Sequence, residues 1–306
     1  MKTAVQQIML GSVCKNEKQT LSTLKSIKAA GYDAIELNRF MIHPTSFLIR
    51  MMTKAAGMPV GKGGNFDWQT LIKESNLMVM SLHTDLGSLE REPEAIVGEA
   101  KSFGTRFVVI TGMYRFNYAD QDAVTELAGR LNAAGEKLKE NGLELLYHNH
   151  NVELLKVFAE DASPAMDETG KPLCALDLLI QKTDPDLVGF ELDTFWLADA
   201  GADPKKIMDR LGSRMKLWHI ADRGSRLREA AMTPILKEDS VELGSGNMDL
   251  TGLMDTALKN GVQGIILESH RNWIDKDPIK SLTTSGRYLH ESLLRGEKDA
   301  CSKSEM

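Results

Sequence analysis

Val188-Gly189-Phe190-Glu191-Leu192-Asp193 is a short apolar run that ends on a carboxylate. Three more runs end on a residue able to bind a divalent ion. They are Leu143-Glu144-Leu145-Leu146-Tyr147-His148, which continues into Asn149-His150, then Met215-Lys216-Leu217-Trp218-His219, and Gly264-Ile265-Ile266-Leu267-Glu268. All four have the length and composition of strands. In a closed parallel barrel every strand finishes at one rim, and active sites are built there. Strand tips far apart in sequence then converge. His148, Asp193, His219 and Glu268 together make a mixed nitrogen and oxygen set for a divalent cation.

Working outward, strand-like and helix-like segments alternate along the chain. Residues 5–13 read as a strand. Residues 18–30 have helical spacing through Leu21, Leu24 and Ile27, closed by Gly31. Strands are expected at 33–37, 77–83 and 106–111, and helices at 93–103, 120–140, around 172–182, from Asp203-Pro204, at 250–259 and at 281–294. Pro204 suits a first helical turn, and Asn141-Gly142 a helix end. With strands at 143–148, 187–193, 214–219 and 264–268, the order is a strict succession of strand and helix. This predicts a single α/β domain, a (β/α)8 barrel over residues 1–295, followed by a polar tail over 296–306. An open doubly wound sheet is the competing architecture. It needs a glycine-rich phosphate turn, and Leu10-Gly11-Ser12 is not one. Three long insertions, at 40–67, 151–170 and 223–247, fall on the strand-end side, where loops shape pockets or subunit contacts.

The chain of 306 residues is 42% hydrophobic and 26% charged, enough for one large core. Its net charge of −6 and its dispersed Lys and Arg argue against a nucleic-acid partner. Cys14, Cys174 and Cys301 form no CxxC pair, so they read as free thiols in a reducing cytoplasm. No apolar run of about 18 residues suggests a membrane span, and the N-terminus lacks a signal-peptide core.

At Tyr147-His148-Asn149-His150, Glu191-Leu192-Asp193-Thr194-Phe195-Trp196, Trp218-His219-Ile220-Ala221-Asp222-Arg223, 242–249 (Glu-Leu-Gly-Ser-Gly-Asn-Met-Asp) and Leu267-Glu268-Ser269, the chain resembles the sugar phosphate isomerase/epimerase family. These are the xylose isomerase-like barrels of the AP endonuclease 2 superfamily, which also include endonuclease IV and inosose dehydratase. The resemblance implies a metal at the barrel mouth held by Glu, Asp, His and Glu. Asp193, His219 and Glu268 fall on the last three positions. His148 stands where the family has the first Glu, either as a ligand or as an acid or base, with Glu153 nearby as a possible replacement. Ala221 stands where the family often has Lys.

The expected chemistry is proton abstraction next to a carbonyl of a sugar or sugar derivative, aided by a divalent metal. Reprotonation elsewhere gives isomerisation or epimerisation; loss of a β-substituent gives elimination. His148 and Glu268 are the candidate catalytic groups. A single Glu with a His opposite suits isomerase or lyase chemistry better than a two-Glu epimerase. His83, His150, Trp196, Arg223 and Glu36 are candidate substrate contacts. Each has a plain structural alternative: Asp193 as a helix cap, His150 bonding a loop carbonyl, Arg223 in a surface salt bridge. Glu191 shares a face with Asp193, and its role is open. His43, His270 and His290 receive none. Mn2+ is the expected metal, with Zn2+, Mg2+ or Co2+ as alternatives. The partners expected are a small-molecule sugar or glycoside and a second copy or small partner subunit. Three other functions compete: a lyase subunit for 3-oxo-glycosides, including C-glycosides, an endonuclease IV-like nuclease, and a metal-free binding barrel.

Overall fold

A computed structural model describes residues 1–44, 51, 63–113, 115–168, 170, 172–224 and 239–294. Eight parallel strands close into a barrel: β1 (Lys2–Gln6), β2 (Ala34–Asn38), β3 (Met78–Thr84), β4 (Phe107–Thr111), β5 (Glu144–His148), β6 (Val188–Asp193), β7 (Met215–Ile220) and β8 (Gly264–Leu267). Each pairs with its neighbours in chain order, and β8 returns to β1 through Lys2↔Gly264 and Val5↔Leu267. Helices run back between them on the outside, so the expected barrel is the observed fold.

Alternation along the strands divides the residues into two sets. The outward set, including Val5, Ile35, Val108, Tyr147, Phe190 and Trp218, packs with the helices as the main core. The inward set begins with a small apolar floor: Ala4, Ala34, Phe107, Val109, Leu146, Leu217 and Ile266, with Met80 against it. Two residues further along the same strands the same face turns polar. Glu36 follows Ala34, Thr111 follows Val109, His148 follows Leu146, His219 follows Leu217 and Glu268 follows Ile266. The lumen is therefore apolar below and ionisable at the C-terminal rim.

The helices obey their end signals. Pro93–Phe103 starts on its proline and stops at Gly104, whose φ of +70° is the left-handed region glycine tolerates best. Gln121–Glu140 is capped by Asp120, which accepts from the N–H groups of Asp122 and Ala123. Its buried stripe is Val124, Leu127, Leu131 and Leu138.

Three boundaries differ from the sequence expectation. The first strand ends at Gln6 rather than 13. The Gln6 side chain accepts from the Ile8 N–H and turns residues Gln7–Leu10 into a 3-10 helix, so Ile8, Met9 and Leu10 are buried without belonging to the sheet. The helix expected around 172–182 begins at Ala175, where Asp177 reaches back to the Cys174 N–H. The closing helix begins at Pro278, capped by Asp277, and ends in a π-helical turn at Leu289–Leu293.

Most of the insertion at 40–67 lies outside the described residues, as does 225–238 of the insertion at 223–247 and the whole polar tail at 296–306 with Cys301. At the edges of the third insertion, Ser240–Val241 pairs antiparallel with Asp222–Arg223. Cys14 and Cys174 are buried free thiols. Among the described residues no helix is long and apolar enough to cross a membrane.

Candidate metal centre

Four strands deliver one group each to the rim. In the barrel register His148 lies opposite Glu191, and Asp193 lies opposite His219. Glu268 follows the last residue of β8. One ligand atom from each of His148, Asp193, His219 and Glu268 lies within 4.8 Å of the others. All four are buried.

Asp193 divides its oxygens between two tasks. Oδ1 accepts from the Trp196 N–H at 3.0 Å and caps the helix Thr194–Asp199. Oδ2 lies 3.9 Å from His219 Nδ1, on the lumen side. The cap uses one oxygen and leaves the other toward the lumen, so capping does not exclude the ligand reading. Asn149 fixes its backbone: Oδ1 accepts from the Asp193 N–H at 2.9 Å, and Nδ2 donates to the Asp193 carbonyl at 3.2 Å.

His219 sits between carboxylates. Nε2 is 2.7 Å from Glu36 Oε1, and Nδ1 is 2.8 Å from Glu268 Oε2. A carboxylate behind one ring nitrogen holds the proton there and presents the other nitrogen as a lone pair. With Nε2–H donated to Glu36, Nδ1, which faces Asp193 and Glu268, would be the nitrogen left to hold an ion.

Below this set lies a second layer. Glu36 and Glu191 are fully buried, and His83 nearly so. His83 Nε2 is 2.7 Å from Glu191 Oε2 and 3.0 Å from Glu36 Oε1, while its Nδ1 meets Thr111 Oγ1 at 3.1 Å. Ser81 Oγ donates to the other Glu36 oxygen. Thus Glu36 and His83, read as substrate contacts, lie in this buried layer, Glu36 on His219 and His83 on Glu36 and Glu191.

Burial shifts every group here, and the neighbours decide the direction. Burial alone would lower His83, but Glu36 and Glu191 raise it to about 10. Burial likewise opposes His219, and Glu191, Glu36 and Glu268 raise it well above the usual imidazole value. Glu191 is pushed up to about 7 by burial and by Glu36. Asp193 is raised by burial and by Glu268. His148 is lowered by burial and then by His219, and His150 falls to about 3 for the same first reason, with His148 second. Both are held neutral.

Around the rim, the His150 ring is 5.1 Å from that of His148 and 5.7 Å from Trp196. Trp196 packs with Phe195 and Ala221. Arg223 lies 3.8 Å from Asp199 and donates to the Ala198 carbonyl, at the end of the helix that Asp193 caps. Glu153 turns away from the centre. Its oxygens accept from Tyr147 Oη at 2.8 Å and from the His150 N–H at 2.9 Å. Tyr147 and Tyr118 share a hydroxyl contact of 2.8 Å behind it. His270, left without a role on sequence grounds, has Nε2 3.6 Å from Glu268 Oε1. His43 pairs with Glu99, and His290 packs against Tyr32.

Asn149, Ser81, Thr111 and Tyr147 carried no site role in the sequence reading. Their signal was weak: they support ligands through backbone contacts or from neighbouring strands. Glu191 had the right alternation but no register to place it.

The residues fit a cation. Glu36, Glu191, Asp193 and Glu268 bring four carboxylates among buried imidazoles. His148 Nδ1 lies 3.2 Å from Glu191 Oε2, yet in no hydrogen-bonding direction, so it and Glu191 Oε1 are buried without a hydrogen-bond partner. Buried polar atoms are rarely left so.

The family model described as "Xylose isomerase-like TIM barrel" matches residues 24–283. An inosose dehydratase from Lacticaseibacillus casei is 24% identical over 180 residues, 56% of this chain and 55% of that protein. The chain thus spans about half the length of this relative. A sugar phosphate isomerase/epimerase from Parabacteroides distasonis superposes with a TM-score of 0.74 at 21% identity, covering 95% of this chain and 94% of that one. A structure of the IOLI protein with a bound zinc atom superposes with a TM-score of 0.65 at 14% identity, covering 96% and 99%. At these identities the two superpositions speak for the fold.

Proposed function

We propose that this chain, which belongs to the xylose isomerase-like TIM barrel family, is a divalent-metal-dependent lyase or isomerase acting on a keto sugar or cyclitol ketone. The observation that carries this reading is the convergence of ligand atoms from His148, Asp193, His219 and Glu268 within 4.8 Å. Elimination is the favoured outcome. It fits the dehydratase named among the relatives, and it fits an asymmetric pair of groups at the rim, one carboxylate and one neutral imidazole.

Asp193, His219 through Nδ1, and Glu268 are the residues that would hold the ion, with His148 as fourth donor. Two imidazoles in the set favour Mn2+ or Zn2+ over Mg2+. A bound divalent ion supplies positive charge beside the carbonyl and hydroxyl oxygens of the substrate. The chain's own groups do the rest. Glu268 takes the proton from the carbon next to the carbonyl and, in elimination, returns it to the β-hydroxyl, which departs as water. His150, held neutral, lines the opposite wall and hydrogen-bonds the substrate's hydroxyl groups. Trp196 and His150 offer a ring face and a ring edge to a cyclic polyol. Asn149 and Glu36 keep Asp193 and His219 in place.

The test uses Mn2+-loaded protein with an inosose, a ketopentose and a 3-oxo-glucoside in deuterated water. The expected result is deuterium at one carbon or an unsaturated product, lost on adding EDTA. No exchange and no product with any of the three overturns the reading. A nuclease finds no support in a net charge of −6. The 3-oxo-glycoside lyase reading leaned on the insertion at 40–67, most of which lies outside the described residues.

A further inference from the structure

We propose that Glu153 is a positioning residue: it holds the backbone of His150 so that the imidazole is presented to a hydroxyl group of the sugar or cyclitol ring. The inference rests on the reading of the site given above and deepens it. Glu153 lies three residues after His150, on the 3-10 turn Val152–Leu154 that follows β5. It is fully buried. Oε2 accepts from the His150 N–H at 2.9 Å, and Oε1 accepts from Tyr147 Oη at 2.8 Å. Tyr147 has a single hydroxyl proton. Tyr118 Oη must therefore donate to Tyr147 Oη, at 2.8 Å, while it accepts from the Met113 N–H at 2.7 Å. The dipoles run one way, from the loop after β4 through two hydroxyls to the carboxylate, and each bond polarises the next. Burial raises the Glu153 carboxyl, and what opposes burial is a set of donors: Tyr147, the N–H groups of Glu153 and His150, and Tyr118.

His150 is clamped through its backbone and not through its ring. Its N–H goes to Glu153, and its carbonyl accepts from Asn149 Nδ2 at 3.3 Å. Neither ring nitrogen has a hydrogen-bond partner among the described residues. The ring stands between His148 and Trp196, with centroids 5.1 and 5.7 Å away. Gly112 makes the room for this arrangement. A Cβ there would lie 2.4 Å from Glu153 Oε1 and 3.4 Å from His150 Nδ1. A loop could be anchored by an apolar side chain, without the desolvation that a buried carboxylate costs. What the carboxylate adds is a fixed direction for one N–H. That direction sets a ring whose donor and acceptor are both unbonded, and a sugar hydroxyl is the group that can pair with either.

The experiment measures kcat and KM of full-length, Mn2+-loaded protein with whichever of the three ketones above turns over. Glu153→Ala is expected to raise KM about 3- to 10-fold and to leave kcat within about twofold, as for a lost contact that is equal in ground and transition states. Glu153→Gln is expected to recover most of this, because its carbonyl can take the His150 N–H while the Tyr147 hydroxyl turns to accept from its amide. In a His150→Ala background Glu153→Ala should raise KM no further. The same factor in both backgrounds overturns the positioning role. If Glu153→Ala does not fold, Tyr147→Phe removes one donor from the carboxylate; a smaller rise in KM is expected, and a rise that persists in the His150→Ala background overturns the role equally. Hydrogen exchange at the His150 amide needs no turnover. It should be slow in wild type and Glu153→Gln and faster in folded Glu153→Ala; unchanged protection overturns the tether. No turnover of any ketone by the wild type overturns the proposed function instead, and the exchange measurement still decides the tether.

Discussion

The Asn149 side chain bonds both backbone groups of Asp193: its carbonyl oxygen accepts the Asp193 N–H at 2.9 Å, and its amide donates to the Asp193 carbonyl at 3.2 Å. It acts as an extra rung between β5 and β6 at the point where the sheet ends. The residue that caps a helix with one oxygen and faces the lumen with the other is held from behind by a neutral amide. Asn149→Ala removes both bonds to the Asp193 backbone. The expected outcome is a loss of about 1–3 kcal/mol in urea unfolding and a fall in metal affinity of about 10–100-fold.

Glu36 stands behind His219 as Asn149 stands behind Asp193. Glu36→Gln keeps the shape and can still meet Nε2, but no longer fixes the proton there. Titration of the stripped protein with Mn2+ should show affinity down by about 10–100-fold, with the far-ultraviolet spectrum unchanged. Affinity equal to wild type would mean that Glu36 does not orient the ring.

Gly112 follows β4 and is packed under the Glu153 carboxylate. A Cβ there would lie 2.4 Å from Glu153 Oε1 and 3.2 Å from Tyr118 Oη. Gly112→Ala must therefore push Glu153 off Tyr147 or off the His150 N–H. A destabilisation of about 1–3 kcal/mol is expected in thermal or urea unfolding. Gly112→Ala combined with Glu153→Ala should recover part of it, since the clashing carboxylate is then gone.

Away from the centre, Asp177 accepts from the Cys174 N–H at 2.9 Å and pairs with Arg210. Burial opposes its charge, but the Cys174 contacts and Arg210 outweigh it and hold the carboxyl below its usual range. A carboxyl lowered in the folded state contributes stability above its unfolded value, near pH 4, and loses it as the pH falls through the folded value. Wild-type protein should exceed Asp177→Asn in urea midpoint at neutral pH, and the gap should close below about pH 4. A gap independent of pH would remove the charge from the explanation.

The barrel was readable because two simple signals agree over the chain. Strand tips recur on a β/α rhythm, and period-two alternation tells which residues face the lumen. That suffices to bring His148, Asp193, His219 and Glu268 to one rim. It does not reveal depth. Glu191 and Asp193 share a face, and only the register of β5, β6 and β7 sets Glu191 opposite His148 and Asp193 opposite His219, while the closure of the barrel brings His83 of β3 to 2.7 Å from Glu191. The early strand was read too long because Ile8, Met9 and Leu10 are apolar and buried in a 3-10 turn as they would be in a strand. Asn149 carried no role because its work is done on the backbone of another strand, which sequence spacing does not encode.

The central claim is that one cation is held at the rim by Asp193, His219 and Glu268. The most direct measurement is the anomalous difference density of a crystal soaked in Mn2+. The account predicts a strong peak within bonding distance of Asp193 Oδ2, His219 Nδ1 and Glu268. Density lacking any peak among these three side chains, at full Mn2+ and with the barrel intact, would contradict it.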